Sequence, residues 1–555
     1  MSDLNQDLKI KLKSLFNKKQ FSQFQFEIEQ LGEIENQPKY IVMGYAGSLA
    51  MNEFSKKKDL EKAAYLFDKI YTSDKLDLEA LHNLSYVSFR LKSYKRVLPH
   101  LLETYNSEKK NERVIEALAR FSFFQGNVGE AQKYYRELLE LNPKAKQWTA
   151  FLQSINYTND FTQEEYLNYC LKYNSLNISN NDYVRHKNNK KINIGFFSPD
   201  FKKHSVSFFL KSIIDKIDKE DFKIHAFSNL ELAHHDAVTK FFQSNFDKWN
   251  DTYNLSDKEL IKLVRSCNID IFIDLAGFTK DHRANIFNAR CAPIQISWLG
   301  YCNSLGIQNM DYIIADPNVI KENEKRQYLE RVLYMPNLWC VGSKTENLPP
   351  VNNLPFKSNS FITFGSFNNF QKISDDTIRI WSKILNNSNS KLILKSSIVA
   401  ADAKELNENL MQKFYKYGLN ENKISILNRS ENFEDHLKLY NKIDIALDTF
   451  PYPGVTTTFE SILMGVPVLT MKGFNFNSRC GESINLNLEI SQFIAVDEED
   501  YYLKALNIQN DLKNLENLRS SLREKALASP LFDVDSFTKN FCDVLKKTWT
   551  DYTNE

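Results

Sequence analysis

A helical-repeat solenoid followed by two α/β lobes is the architecture this chain predicts, and three observations carry it. Residues 40–145 recur at a spacing of 34. After residue 175 the pattern changes from amphipathic helices to apolar strands alternating with helices, and that alternation runs twice, on either side of a Pro- and Asn-rich joint at 342–360. At 555 residues the chain exceeds what one hydrophobic core sustains, and 42% hydrophobic content is enough for two or three domains.

The recurrence aligns Ala50, Leu84 and Leu118, then Leu60, Tyr94 and Val128, then Ala63, Val97 and Ala131. A period of about 34 residues is that of tetratricopeptide helix pairs. In the third unit Gly126 falls between two helices and Asn142-Pro143 follows the second. Each pair hides its apolar face only against its neighbours, so the units stack into a curved solenoid with a concave groove. Residues 1–40 read as helical without a register. The helical region is bounded at 1–180, and the polar run NISNNDYVRHKNNK at 177–190 reads as a linker.

Strand runs INIGFFS, FKIHAFS, IDIFIDLAG, IQISWLG and YIIAD fall in a first lobe, 190–345. FITFGSFNN, KLILKSS, KISIL, IDIALDT, VPVLTMKG and FIAVD fall in a second, 360–555. Apolar runs separated by helices are the signature of parallel sheets covered on both faces. Two such lobes in tandem face each other across a cleft, with ligands at the carboxyl ends of the strands. The last segment, SPLFDVDSFTKNFCDVLKKTW, reads as a helix closing the second lobe.

Composition narrows the function. Seventy-one Lys and Arg balance 70 Asp and Glu, which argues against nucleic acid or an anionic membrane as the main partner. The seven cysteines are scattered without CxxC spacing, as expected of reduced cytosolic thiols, and imply neither disulfides nor a zinc site. No run approaches the roughly eighteen apolar residues of a membrane span, and the amphipathic N-terminus lacks a signal peptide's apolar core. The expected location is the cytoplasm.

The chemistry concentrates at strand exits. In IDIALDTFPYPGVTTTFESILMGVP, residues 443–467, a strand is broken by Pro451, Pro453 and Gly454, and Thr456, Thr457 and Thr458 then open a helix. Hydroxyls beside the free N–H groups of a helix mouth suit phosphate. Thr457 and Glu460 also fit a capping box, and a well-capped helix in a plain strand–helix unit would show the same pattern. Asn368, Asn369 and Lys372 follow another strand, where a lysine can reach a pyrophosphate or be merely a solvated cation. His204 follows the first strand of the first lobe, placed either to polarise a hydroxyl or to serve as a structural residue. Gly277, Thr279, Pro293, Gly300 and Gly306 gather around Trp298 in a long loop suited to lining a pocket. There is no GxxxxGK[ST] or GxGxxG, so neither a P-loop hydrolase nor a dinucleotide oxidoreductase is supported. Asp533 and Asp535 form a DxD away from any strand exit, and His234-His235-Asp236 has no further ligands at metal spacing, so no metal site is expected.

The segments SPDFKKHSVSFFL, IDLAGFTKDHRANIFNARCAPIQISWLGY, MDYIIAD, ITFGSFNNFQKI, DIALDTFPYPGVTTTFESILMGVPVLT, SRCGESI and SPLFD resemble, in order, those of the tetratricopeptide-containing O-linked N-acetylglucosamine transferases and their SPINDLY-type relatives. The resemblance implies a metal-independent, inverting glycosyltransferase of GT-B type, built from two Rossmann-like lobes. It would move GlcNAc from UDP-GlcNAc to Ser or Thr of acceptor proteins bound in the repeat groove, with no cofactor, and homo-oligomerisation is left open. By resemblance, His204 is catalytic and borders sugar and acceptor, either as the base or as the group that orients the acceptor hydroxyl, Lys372 steadies the departing diphosphate, and Asn369 stands where relatives have glutamine. Thr456 and Thr457 bind phosphate, Glu460 stands near the ribose, and His436 lies next to the nucleobase. Val455 replaces a donor-contacting histidine and Phe433 a lysine near uracil, which admits another donor such as GDP-fucose or a flagellin-modifying sugar. A repeat scaffold that only binds partners is the reading from a different class.

Overall fold

The computed structural model describes every residue except 1–5, 53, 108–110, 145, 177–189, 344–346, 397, 399 and 555. The linker assigned to 177–190 lies almost wholly outside the described residues. The chain divides into two compact units, residues 1–147 with 398–410, and residues 148–397 with 411–555.

In the first unit, helices α1 (Gln6–Asn17) and α2 (Phe21–Glu29) precede three pairs: α3 (Lys39–Met51) with α4 (Lys57–Ser73), α5 (Leu78–Leu91) with α6 (Leu98–Ser107), and α7 (Glu112–Phe124) with α8 (Val128–Leu141). All nine residues of the 34-residue register are buried, with Ala63, Val97 and Ala131 fully enclosed. Small side chains there let paired helices approach closely, which is why the period is legible. The unit also takes in residues 398–410, where the Glu405 carboxylate accepts from Tyr94 N at 2.9 Å and from Ser93 Oγ at 3.0 Å.

The second unit opens with α9 (Trp148–Ile155) and α10 (Gln163–Ser175), which sequence order placed with the repeats. Their contacts explain the difference. Tyr166 Oη and Asn156 Nδ2 each lie 2.9 Å from Tyr301 Oη, and Gln163 Nε2 donates to Asn303 Oδ1 at 2.7 Å. These buried polar bonds tie both helices to the loop after a strand of the first lobe.

That lobe is a seven-stranded parallel sheet of β1 (Ile192–Ser198), β2 (Phe222–Ser228), β3 (Lys248–Asp251), β4 (Ile271–Asp274), β5 (Ile294–Ser297), β6 (Tyr312–Ala315) and β7 (Arg331–Tyr334), in the order β3-β2-β1-β4-β5-β6-β7. The second lobe is parallel too: β8 (Ile362–Ser366), β9 (Ser390–Lys395), β10 (Ile424–Leu427), β11 (Ile445–Leu447), β12 (Val468–Met471) and β13 (Ile494–Ala495), ordered β10-β9-β8-β11-β12-β13. Strand order reverses beside β1 and beside β8, and such switch points open the crevices in which α/β proteins bind ligands. The closing helix, Val534–Asn554, belongs elsewhere than sequence order suggests. It buries Phe537, Phe541 and Leu545 in the first lobe's core, with Phe541 4.6 Å from Trp298 between ring centroids. No described helix is long and apolar enough to cross a membrane.

Gly300, after β5, shows how tightly the cleft-side loops pack: a Cβ there would lie 1.9 Å from the backbone oxygen of Leu275. Gly300→Ala is expected to destabilise the fold by about 1–3 kcal/mol, because a backbone atom has little room to yield. Thermal unfolding monitored by circular dichroism checks this, with a lowered midpoint as the expected result.

Candidate active site

The loop after β11 begins with Asp448, a buried carboxylate that organises everything behind it. Its Oδ1 accepts from Gly454 N at 2.7 Å, from Thr449 N at 3.0 Å and from Asn368 Nδ2 at 3.0 Å; its Oδ2 accepts from Thr470 Oγ1 at 2.8 Å. Burial pushes its acid up to about 6, opposed by these donors and by Lys372. The loop is thereby closed into a tight turn. A Cβ on Gly454 would come 2.3 Å from Thr457 Oγ1 and 2.6 Å from Asn368 Oδ1, so only glycine fits between them.

The turn delivers the chain into helix Thr456–Leu463, whose N-cap is Val455 and whose first turn no side chain caps. The capping box read from Thr457 and Glu460 does not form. Thr457 Oγ1 instead donates to Asn368 Oδ1, Thr458 Oγ1 donates back to Gly454 O at 3.0 Å, and Glu460 is engaged sideways. Its Oε2 lies 2.9 Å from His436 Nε2 and accepts from Tyr440 Oη at 3.2 Å. The mouth of the helix keeps its positive dipole end without a carboxylate or hydroxyl of its own chain capping it, which suits an incoming anion.

Lys372 closes the other side. Its Nζ donates to Pro453 O at 2.9 Å and stands 3.9 Å from the ring centroid of Tyr452. Burial pushes its ammonium down to about 8, against the pull of Asp448, Cys480 and Cys302. The folded chain thus releases this proton before the unfolded chain does, so the cost of burying the charge is relieved as pH rises from about 8 toward 10.5.

Across the cavity, His204 is the N-cap of helix Ser205–Lys216. Its Nδ1 accepts from Val206 N at 3.3 Å and lies 3.6 Å from Asp200 Oδ2. Burial lowers its pKa more than Asp200 restores it, so the ring is neutral near pH 7. With Nδ1 assigned as acceptor, the neutral ring carries its hydrogen on Nε2.

His204, Asn369, Lys372, Thr456 and Thr457 line one cavity of about 320 Å³, together with Val455, Tyr452, Leu299, Trp339 and three cysteines. Leu299 sits there at φ +76°, a conformation rare for a side chain of its kind and common where a site imposes strain. Asn369 is exposed, and its Oδ1 accepts from Gln371 N at 3.3 Å. His436 and Glu460 do not line this cavity. They form the next layer, joined to it through Tyr440, whose single hydroxyl hydrogen is shared between Glu460 Oε2 and Thr457 O, the latter 3.1 Å away. Phe433 and Phe367 pack on His436 with ring centroids 6.2 and 6.1 Å away. Sequence reasoning grouped Asn368 with Asn369 and Lys372 without giving it a role of its own, and passed over Tyr452. Tyr452 has a visible signal, an aromatic held between two prolines at a strand exit. Grooves of about 510 and 1010 Å³ in the repeat unit are larger; the second holds Lys39 and His82, but Lys39 is already ion-paired with Asp74 and Asp77.

Two parallel α/β sheets, each with its polar cluster at the switch point, define the GT-B type of glycosyltransferase fold. A sequence profile described as glycosyl transferase family 41 matches residues 163–356 and 352–541, and the chain belongs to that family. Among curated proteins it is 33% identical over 364 residues to the probable UDP-N-acetylglucosamine–peptide N-acetylglucosaminyltransferase SPINDLY of Solanum lycopersicum, covering 65% of this chain and 39% of that protein. The protein of the same name from Hordeum vulgare is 34% identical over 364 residues, covering 65% and 38%. The chain thus spans about two fifths of the length of these relatives. An O-GlcNAc transferase mutant of Thermobaculum terrenum has the same fold, with a TM-score of 0.81 at 24% identity over 93% of this chain and 99% of that one.

Proposed function

We propose that this chain is an inverting protein O-glycosyltransferase that moves GlcNAc from UDP-GlcNAc to serine or threonine of acceptor proteins held in the repeat groove. One observation carries the reading: Lys372 and the uncapped mouth of helix Thr456–Leu463 share a cavity with His204. The names of the relatives, which pair UDP-N-acetylglucosamine with a peptide acceptor, support donor and acceptor class.

In this reaction the acceptor hydroxyl oxygen bonds to the anomeric carbon as the bond from that carbon to the diphosphate oxygen breaks. Positive charge spreads over the sugar while negative charge grows on the diphosphate, so the groups that act most are those facing the leaving oxygen. The Lys372 ammonium and the N–H groups of Thr456 and Thr457 are those groups, and the reaction as proposed uses no metal or other cofactor. Asn369, His436 and Glu460 are assigned to holding the nucleotide, Glu460 at the ribose. His204 offers a hydrogen on Nε2, so it orients the acceptor oxygen, and the hydroxyl proton passes late to an oxygen of the departing diphosphate. A cytosolic setting goes with the reading, since all seven cysteines are free thiols.

The ammonium is the active form of Lys372. The kcat/KM for donor is therefore expected to fall as pH rises through about 8, while the limb in kcat lies higher because bound diphosphate favours the charged lysine. Initial rates between pH 6.5 and 10 check both limbs.

A second reading keeps the fold and changes the nucleotide, and Phe433 favours it by placing an apolar ring beside His436. Calorimetric titration with UDP and with GDP separates the two, followed by intact-mass analysis of acceptor protein incubated with the matching nucleotide sugar. UDP binding and an added N-acetylhexosamine support the first reading. GDP binding alone moves the assignment to the second, and binding of neither leaves only the partner-binding scaffold.

A further inference from the structure

Lys372 reaches the cavity on a long, flexible stem, and a cation that must meet a leaving group needs its position set beforehand. The backbone oxygen of Pro453 holds it from one side. The ring of Tyr452 holds it from another, at 3.9 Å from nitrogen to centroid, well inside the range of a cation–π contact. Pro451 and Pro453 flank Tyr452 and restrict the backbone around it. The Tyr452 ring packs on Tyr157, centroids 4.7 Å apart at 60°, and Tyr157 is itself buried in the segment between α9 and α10. The neighbouring Asn156 anchors that segment through Tyr301 and Asn303.

We propose that Tyr452, backed by Tyr157, is the positioning residue for Lys372, its ring face holding the ammonium at the helix mouth where a leaving diphosphate lies. The assignment of the diphosphate rests on the proposed function; the ring–cation pair does not. Through this stack, the two helices ahead of the first sheet fix the height of the catalytic cation. Tyr452 cannot supply charge itself, because burial drives its phenol far above its ordinary pKa. The carboxyl acting on Lys372 is Asp448, with the Cys480 and Cys302 thiols beside it, and replacing the ring leaves all three side chains in place.

The test reads the lysine directly. Trace acylation of Lys372 by acetic anhydride, followed by peptide mass spectrometry across pH 6 to 11, reports its titration in the wild-type chain, Tyr452→Phe and Tyr452→Leu. The wild type and the phenylalanine variant are expected to titrate alike, because the ring face is kept. The leucine variant is expected to titrate about one unit lower, a tenfold change, because a desolvated ammonium has lost its aromatic partner. If Tyr452→Leu does not fold, Tyr157→Leu serves, with a smaller shift in the same direction. An unshifted titration in the folded leucine variants overturns the proposal, as does a phenylalanine variant that behaves like leucine. In sugar transfer, Tyr452→Leu is expected to lower kcat about tenfold with a smaller change in donor KM, and Tyr452→Phe to restore it. Should the wild-type chain bind no nucleoside diphosphate while the titrations come out as expected, the proposed function fails and the ring–cation pair stands.

Discussion

Lys372→Ala is expected to lower kcat for sugar transfer by about 10²–10³-fold while weakening nucleoside diphosphate binding by roughly tenfold or less. The difference follows from when the charge is needed. On the proposed function, the ground-state diphosphate already meets the positive end of helix Thr456–Leu463 and is partly solvated, so one ammonium adds modestly to affinity. As the glycosidic bond breaks, new negative charge appears on the leaving oxygen, and the group facing it is worth more in the transition state than before. Lys372 is placed for this by Pro453 and Tyr452, inside a cavity where burial has already weakened its hold on its proton. Turnover measured beside calorimetric affinity checks the claim, and equal losses in both would remove Lys372 from the chemical step.

Asp448→Ala is expected to cost roughly 3 kcal/mol of stability or more and to abolish nucleotide binding in whatever folded protein remains. The carboxylate accepts from Gly454, Thr449, Asn368 and Thr470, and the substitution leaves those donors short of a partner in a buried turn. The same turn sets where the helix mouth lies, so the loss spreads to the site. Asp448→Asn keeps one acceptor oxygen and is expected to be milder. Denaturant unfolding of both variants checks the ranking; an alanine variant as stable as the wild type would show that the turn is held by packing alone.

The repeats and most strands were legible because they depend on short-range pattern. Ala63, Val97 and Ala131 recur because helix pairs need small residues at close contacts, and the buried strands are continuous apolar runs. Strands β3 and β7 were not legible: both are four-residue edge strands, KWND without an apolar run and RVLY with a short one but no fully buried position. Where α9, α10 and the last helix pack is decided by partners over a hundred residues away, such as Tyr301 for Tyr166 and Trp298 for Phe541. Amphipathicity says that a helix packs and does not say on what. The false capping box has a similar origin, since Thr457 and Glu460 have the right spacing but find better partners in Asn368, His436 and Tyr440. At the site, the residue types at strand ends could be read from the sequence, Asn368 among them; that Asn368 and Tyr452 orient the others could not, because that role exists only once β8 and β11 lie side by side.

The most direct test is a crystal structure of the chain with a bound nucleoside diphosphate. The β-phosphate is expected over the amino end of helix Thr456–Leu463, within hydrogen-bonding distance of Thr456 or Thr457 and of Lys372 Nζ, with the base beside His436. A diphosphate bound elsewhere, or one that Lys372 turns away from, would contradict the account at its root.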